Sequence, residues 1–263
     1  MDSILFFIIL FIYIINIYYL GHISLKFIKV GSKDINRLEN IFFGFIFFGL
    51  IGLIINFFIS LNLIFNSILF ILLIINSVYN IFRDKNFPLK QITVIFFITI
   101  FFLIFSKTFE DSAGYHIPFS NVLNEHKIIF GLSNIHFRFG TVSISQYIDS
   151  LNYNIFIREK GILVASAVIV ATCILYFFSE IKKNKDNNFT YLFLIFGLIF
   201  LCLRFNRFGD YGNDAIAHIY FILFCYLIIK NLYDDKINEY KKIYLIALFA
   251  FLQKIFFLPA LIY

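Results

Sequence analysis

An all-α, polytopic transmembrane bundle of about eight helices is the fold this sequence predicts, on three observations. Of its 263 residues, 61% are hydrophobic and only 14% are charged, with a mean hydropathy of +0.88. A soluble core cannot hide that much apolar surface, so lipid is the solvent. Apolar runs close to the roughly 20 residues a spanning helix needs recur along the whole chain. The basic residues collect in alternate connections between those runs, as they do when lysine and arginine stay on one side of a membrane.

The runs lie at roughly 4–23, 41–59, 62–79, 91–106, 161–178, 191–205, 215–230 and 243–263. Several are shorter than an ideal span, which flanking lysines and tyrosines accommodate by snorkelling. They predict one membrane domain over 1–263, with three N-terminal helices in 1–90 and a second module over 91–263. The connections 24–40, 80–90, 179–190 and 230–242 carry four, three, three and four Lys or Arg, fourteen of the chain's 22. The longer stretch 107–160 carries five and 204–214 carries two. The positive-inside rule therefore puts the N-terminus, 107–160 and 204–214 outside.

Composition narrows the function classes. Forty Phe and the abundance of Ile, Asn and Lys read as A/T-rich codon usage. With no Trp, the sixteen Tyr share the interfacial role with Lys and Arg. The net charge of +6 is scattered between apolar segments, which argues against nucleic acid and for anionic lipid headgroups as the partner. Cys173, Cys202 and Cys225 sit inside apolar runs and read as small hydrophobic residues, not as a disulfide framework. The start M-D-S-I-L-F-F has an acid before its apolar run and no small-residue cleavage site, which predicts a retained helix.

The 107–160 stretch keeps aromatic and branched residues throughout. Pro118 suits a first helical turn, and Phe119, Val122, Leu123, His126 and Phe130 follow at helical spacing. Ile144, Tyr147, Ile148 and Leu151 repeat the pattern. Both sets predict short amphipathic helices on the outer membrane surface, the alternative being a folded loop that caps the bundle.

Polar chemistry gathers at three places. In F-E-D-S-A-G-Y-H-I-P (109–118), Glu110 and Asp111 lie at a water boundary ahead of Tyr115 and His116. Partial desolvation there would raise a carboxylate's proton affinity and suit a general base, whereas a structural Asp111 would cap the next helix. In G-L-S-N-I-H-F-R-F-G (131–140), His136 and Arg138 sit among aromatics. Arg138 can make a forked contact to phosphate or pair with Glu125 or Asp149. In R-F-N-R-F-G-D-Y-G-N-D-A-I-A-H (204–218), Arg204, Arg207, Asp210, Asp214 and His218 crowd a helix start, where Asp214 can also serve as a cap. Lys254 interrupts the last apolar run about halfway, where a mid-membrane cation requires a partner or a polar cavity. The histidines lack H-x-x-H or H-E-x-x-H spacing, so no metal site is predicted.

Taken in order, the Y-H-x-P after an acid at a helix end, the G-L-x-N-x-H-x-R-x-G stretch, R-F-x-x-Y-G-x-D, and the Lys followed four residues on by Leu-Pro form a pattern. It resembles polytopic bacterial membrane proteins related to the GT-C class of glycosyltransferases, over roughly residues 91–259. The resemblance implies an inner-membrane enzyme that moves a sugar from a polyprenyl-linked phosphate donor to a glycan or lipid acceptor on the outer face. It implies Asp111 as the base, with Glu110 as second choice. Tyr115, His116, His136, Arg138, Arg207, Asp210, Asp214 and His218 become binding residues, and Lys254 meets the donor phosphate. A divalent metal is compatible with this chemistry but not indicated by it.

Two departures stand out. Three helices precede the presumed module, and the chain stops at Tyr263 without the further helices or soluble domain of many members, as a fragment or shortened product would. Two other readings compete. An O-antigen polymerase or ligase would lean on Arg138 and the histidines more than on Asp111. A transporter would need polar residues near the midplane, for which the sequence offers Asn16, Asn56 and Lys254.

Overall fold

The structure is a computed structural model that describes residues 3–29, 36–106, 112–140, 143–185, 187–204, 212–233 and 240–261. The chain is helical, with no strand among the described residues. The α-helices are α1 (Ser3–Phe27), α2 (Glu39–Asn56), α3 (Leu63–Ile81), α4 (Leu89–Ile104), α5 (Ile117–Glu125), α6 (Ile144–Asn152), α7 (Val164–Lys183), α8 (Asn188–Leu203), α9 (Asn213–Tyr233) and α10 (Tyr240–Gln253). By length and composition α1, α2, α3, α7 and α9 are able to cross a membrane, while α4 and α8 are apolar but shorter. Five such helices are compatible with a multi-pass membrane protein.

Helices α1 and α2 make the most extensive contact in the bundle. Small residues make it: a Cβ at Gly21 would lie 1.8 Å from the Asn40 carbonyl oxygen, and one at Gly44 would lie 2.1 Å from that of Ile17. Close backbone approach through glycine is how apolar helices gain packing where no hydrophobic effect drives them together. The other glycines of α2 serve a different neighbour, since Gly49 meets Ile144 and Ile148 while Gly52 meets Tyr147 and Leu151 of α6.

That contact corrects the expectation of a surface helix for the second of the two, α6. Helices α5 and α6 form where the apolar spacing put them, but every residue of α6 is buried. The helix is sunk into the end of the bundle against α2, α5, α9 and α10. Burying a helix with both termini requires that its free backbone groups be paired. Ser143 and Gln146 close a capping box at its start. At its end, Asn66 of α3 donates through Nδ2 to the carbonyls of Ser150 and Tyr153, at 2.8 and 2.9 Å. Helix α5 also ends sooner than its spacing implied. It stops at Glu125, and Asn56 Nδ2 takes the extended His126 carbonyl at 3.0 Å. Asn56 is thus a clamp at the end of α2 and not a midplane polar group.

The bundle has two chemically different ends. The loop end holds the start of α1, where Lys160 Nζ stands 5.5 Å above the Phe6 ring, together with α5, α6 and the segments around them. The basic end gathers the helix termini at Phe27, Glu39, Lys183, Asn188, Tyr233 and Tyr240, with Lys241 Nζ reaching the Ile28 carbonyl and Asn36 bonding Ser179. Two fully buried acids sit there. Glu180 accepts from Asn36 Nδ2 (2.8 Å), Lys183 Nζ (2.8 Å), Tyr226 Oη (2.6 Å) and Lys230 Nζ (3.2 Å). Glu39 accepts from Lys242 Nζ at 2.7 Å and from Tyr176 Oη at 3.1 Å. The two rings, Tyr176 and Tyr226, lie 5.9 Å apart, so the two ion pairs form one cluster across α2, α7, α9 and α10.

Candidate active site

At the loop end, a π-helical turn (Ser112–His116) runs directly into α5, with Pro118 in the first turn as its fixed φ favours. Ser112 and His116 are buried. The His116 ring lies against Tyr115, with centroids 4.1 Å apart, and its Nδ1 is 3.4 Å from Gln146 Nε2. The orientation of that amide is set elsewhere. Gln146 Oε1 accepts the Ser143 backbone N–H at 3.0 Å, which turns the amide NH2 toward the imidazole. In that orientation the amide NH2 donates to Nδ1 of the imidazole. Nε2 faces the segment before α9, where a Cβ on Gly212 would lie 3.9 Å away.

Ser143 also ties this group to α10. Gln253 Oε1 accepts from Ser143 Oγ at 2.7 Å, from the Ser145 N–H at 3.3 Å and from Ser145 Oγ. Its Nε2, buried, has no partner among the described residues. The next residue, Lys254, pairs with Asp214 at 2.6 Å, and His218 Nδ1 lies 2.6 Å from the Asp214 carbonyl oxygen. The Phe257 ring meets His218 edge-on.

Lys254 thus departs from the sequence expectation. Helix α10 ends at Gln253, and the remaining apolar residues form a 3-10 segment (Ile255–Leu261) containing Pro259. The lysine stands at a helix end with about a third of its side chain exposed, not at mid-membrane. The expected partner does exist, and it is Asp214. That aspartate lies in the first turn of α9, where a negative charge also suits the helix dipole.

Arg138, in a short 3-10 helix (Phe137–Gly140), stacks over Tyr115 at 5.1 Å and Phe137 at 5.2 Å from the ring centroids. Tyr115 therefore contacts both Arg138 and His116. His136 accepts the Arg138 N–H through Nδ1 and packs near Phe137 and Phe139. In α6, burial pushes the Tyr147 phenol up to about 12, so it stays neutral. Glu110, Asp111, Arg207 and Asp210 lie outside the described residues.

The structure thus brings Tyr115, His116 and Arg138 together, and Asp214, His218 and Lys254 together. Gly212 and the Ser143–Gln253 bonds connect the two groups. A family model for a domain of unknown function, DUF8201, matches residues 3–263. The chain belongs to the DUF8201 family. No curated protein and no solved structure matches this DUF8201 chain.

Among the described residues of the DUF8201 chain, no three His, Cys, Asp or Glu side chains form a metal-ligating group. Beside the Lys254–Asp214 ion pair the site holds the His116 imidazole, the Arg138 guanidinium and the Gln253 amide nitrogen, the last without a partner among the described residues. Such a set suits an anion with several oxygens. Sequence reasoning missed Gln146, Ser143, Ser145 and Gln253. The S-x-x-Q of the capping box was a readable signal for the first two, whereas nothing local in F-L-Q-K marks Gln253 as the anchor of α6.

Proposed function

We propose that this chain is a membrane glycosyltransferase of GT-C-like character. It moves a sugar from a polyprenyl-linked phosphate donor to a glycan or lipid acceptor on the outer face of a bacterial inner membrane. The observation that carries the reading is the meeting, at one end of the bundle, of the segments on which the resemblance rests. His116 of the Y-H-x-P turn faces Gly212, and Lys254 pairs with Asp214. Asp111, one residue before the π-helical turn, is the base. It takes the acceptor's hydroxyl proton as that oxygen bonds the anomeric carbon from the side opposite the phosphate. The carbon–oxygen bond to the phosphate breaks, its electron pair leaves with the polyprenyl phosphate, and configuration inverts. Lys254, the Gln253 amide and Arg138 stabilise the departing charge.

The wild-type chain in proteoliposomes is expected to transfer a labelled sugar from polyprenyl phosphate. Lys254→Met should fold and insert normally but raise the donor KM by about tenfold or more, the worth of one charged hydrogen bond. An unchanged donor KM would remove the phosphate role of Lys254, and wild-type protein inert toward every polyprenyl-phosphate sugar would sink the reading. One observation favours transport instead: Asn16 of α1 is buried, and neither of its amide atoms has a partner among the described residues. Donor or sugar movement across the same vesicles without transfer would support that reading.

The proposal includes eight spans, with α4, α8 and α10 crossing alongside the five longer helices, and an outward N-terminus. Labelling of intact cells tests this in a background lacking Cys173, Cys202 and Cys225. Ser133→Cys, exposed at the loop end, should react with an impermeant maleimide, while Lys185→Cys, exposed at the basic end, should react only after lysis. The reverse pattern would invert the topology and remove the site from the outer face.

A further inference from the structure

Residues 127–139 present an apolar surface that no spanning helix explains. Ile129, Phe130, Ile135 and Phe137 are all exposed, Phe130 at 87%. They belong to turns and short 3-10 segments, not to the bundle's flanks. Their height is set by hydrogen bonds: the Ile128 N–H bonds the Asn56 carbonyl at the last residue of α2, and the nearby Leu61 N–H, just before α3, bonds the Leu123 carbonyl. The segment therefore starts, at Ile128, level with the end of α2, a helix able to cross a membrane, where hydrocarbon gives way to headgroups.

Its sidedness is also built in. Gly131 turns the backbone at φ 85°, a left-handed conformation that glycine adopts without penalty. Leu132 and Phe139 pack toward the core, with Phe139 against Phe119 at 5.6 Å, and this leaves Ile135 and Phe137 on the outer side. The charge is of one sign: 127–139 contains Lys127 and Arg138 and no acid. Large apolar side chains at interfacial height, with Lys127 and Arg138 among them and exposed Glu125 set two residues before, fit a surface that is greasy below and anionic above.

We propose that residues 127–139 dock onto the bilayer surface. Ile129, Phe130, Ile135 and Phe137 enter the boundary between headgroups and acyl chains, and Lys127 contacts anionic lipid phosphates. The docked segment is then a wedge that holds Arg138 and Tyr115 at the lipid boundary beside His116. This inference rests on the multi-pass reading but not on glycosyl transfer.

The chain has no tryptophan, so a single Phe130→Trp substitution gives a clean reporter. The full-length variant would be reconstituted in mixed phosphatidylglycerol and phosphatidylcholine vesicles. Its emission should be blue-shifted, strongly quenched by lipids brominated near the carbonyl end of their chains, and little affected by aqueous iodide. Brominated phosphatidylglycerol should quench more per mole than brominated phosphatidylcholine. Leu72→Trp, on the exposed face of α3, is the control for the multi-pass reading and should be quenched best by lipids brominated deep in the chain. Iodide quenching of Phe130→Trp, with Leu72→Trp still quenched by lipid, would overturn the docking alone. Shielding of Phe130→Trp from both quenchers would mean that a second copy or another protein covers it, and would overturn the proposal too. Equal quenching by the two brominated lipids would remove the anionic contact.

Discussion

Replacing Glu180 with Ala is expected to cost the folded chain about 3–5 kcal/mol, the usual penalty for breaking a buried ion pair from one side. Glu180 is fully buried and accepts from four donors, among them Lys230, Tyr226 and Asn36. Its removal leaves the largely buried Lys230 ammonium without its carboxylate, the Tyr226 hydroxyl loses its Glu180 acceptor, and Asn36 Nδ2 keeps Ser179 Oγ alone of its two acceptors. Lys183 loses less, because more than half of its side chain is in solvent. Glu180→Gln should also destabilise, since its amide NH2 must face a donor on one side. The paired change Glu180→Leu with Lys230→Met should recover much of the loss, because neutral, well-packed replacements avoid the desolvation that the ion pair must overcome. Unfolding in mixed detergent and SDS micelles measures all three. A Glu180→Ala chain as stable as wild type would show that the basic-end cluster does not hold α2, α7, α9 and α10 together.

The second large effect is expected in catalysis. On the proposed function, Asp111→Asn should lower sugar transfer on the order of 100-fold to 10,000-fold at matched membrane abundance, as loss of a general base does. Glu110→Gln should remain near wild type. The contrast separates chemistry from structure. A carboxylate that only caps a helix tolerates Asn, whose amide oxygen still accepts the backbone hydrogen bond. A base does not, because the amide cannot take the acceptor's proton. Residues just beyond Asp111 make the position plausible for this role: Ser112 is buried, and four residues on His116 directs its Nε2 toward Gly212. Near-normal transfer by Asp111→Asn, with Arg138→Ala inactive, would move the site toward the polymerase or ligase reading.

Much of the secondary structure was legible because it is written locally. Apolar length marked α1, α2 and α3, the spacing from Phe119 to Leu123 and from Ile144 to Leu151 marked α5 and α6, and Pro118 marked a helix start. Part of the site was legible as well. Tyr115, His116, Asp214 and Lys254 stood out because polar residues are scarce in this composition, and the structure draws them to one end of the bundle.

Depth and partnership were not legible. The same spacing that marks α6 as amphipathic is equally compatible with lying on lipid or sinking between helices, and what decides is the room left by Gly49 and Gly52 of α2. Lys254 looked like a mid-helix cation because its neighbours are apolar, but α10 stops one residue before it and Asp214, forty residues away, supplies the countercharge. Nothing local in the sequence marks Glu39 or Glu180. They become a buried cluster only because the fold brings Lys242 to Glu39 across 203 residues and Lys230 to Glu180 across 50.

Hydropathy along the chain by itself determined where helices form and that they suit lipid, because a helix satisfies its own backbone and its transfer energy depends on its own side chains. Which buried polar groups find partners is a property of pairs distant in sequence, and only the tertiary structure decided it. In a low-dielectric interior an unpartnered amide or charge is costly, so the placement of Asn66, Gln146, Gln253, Glu39 and Glu180 follows from the packing of the helices around them.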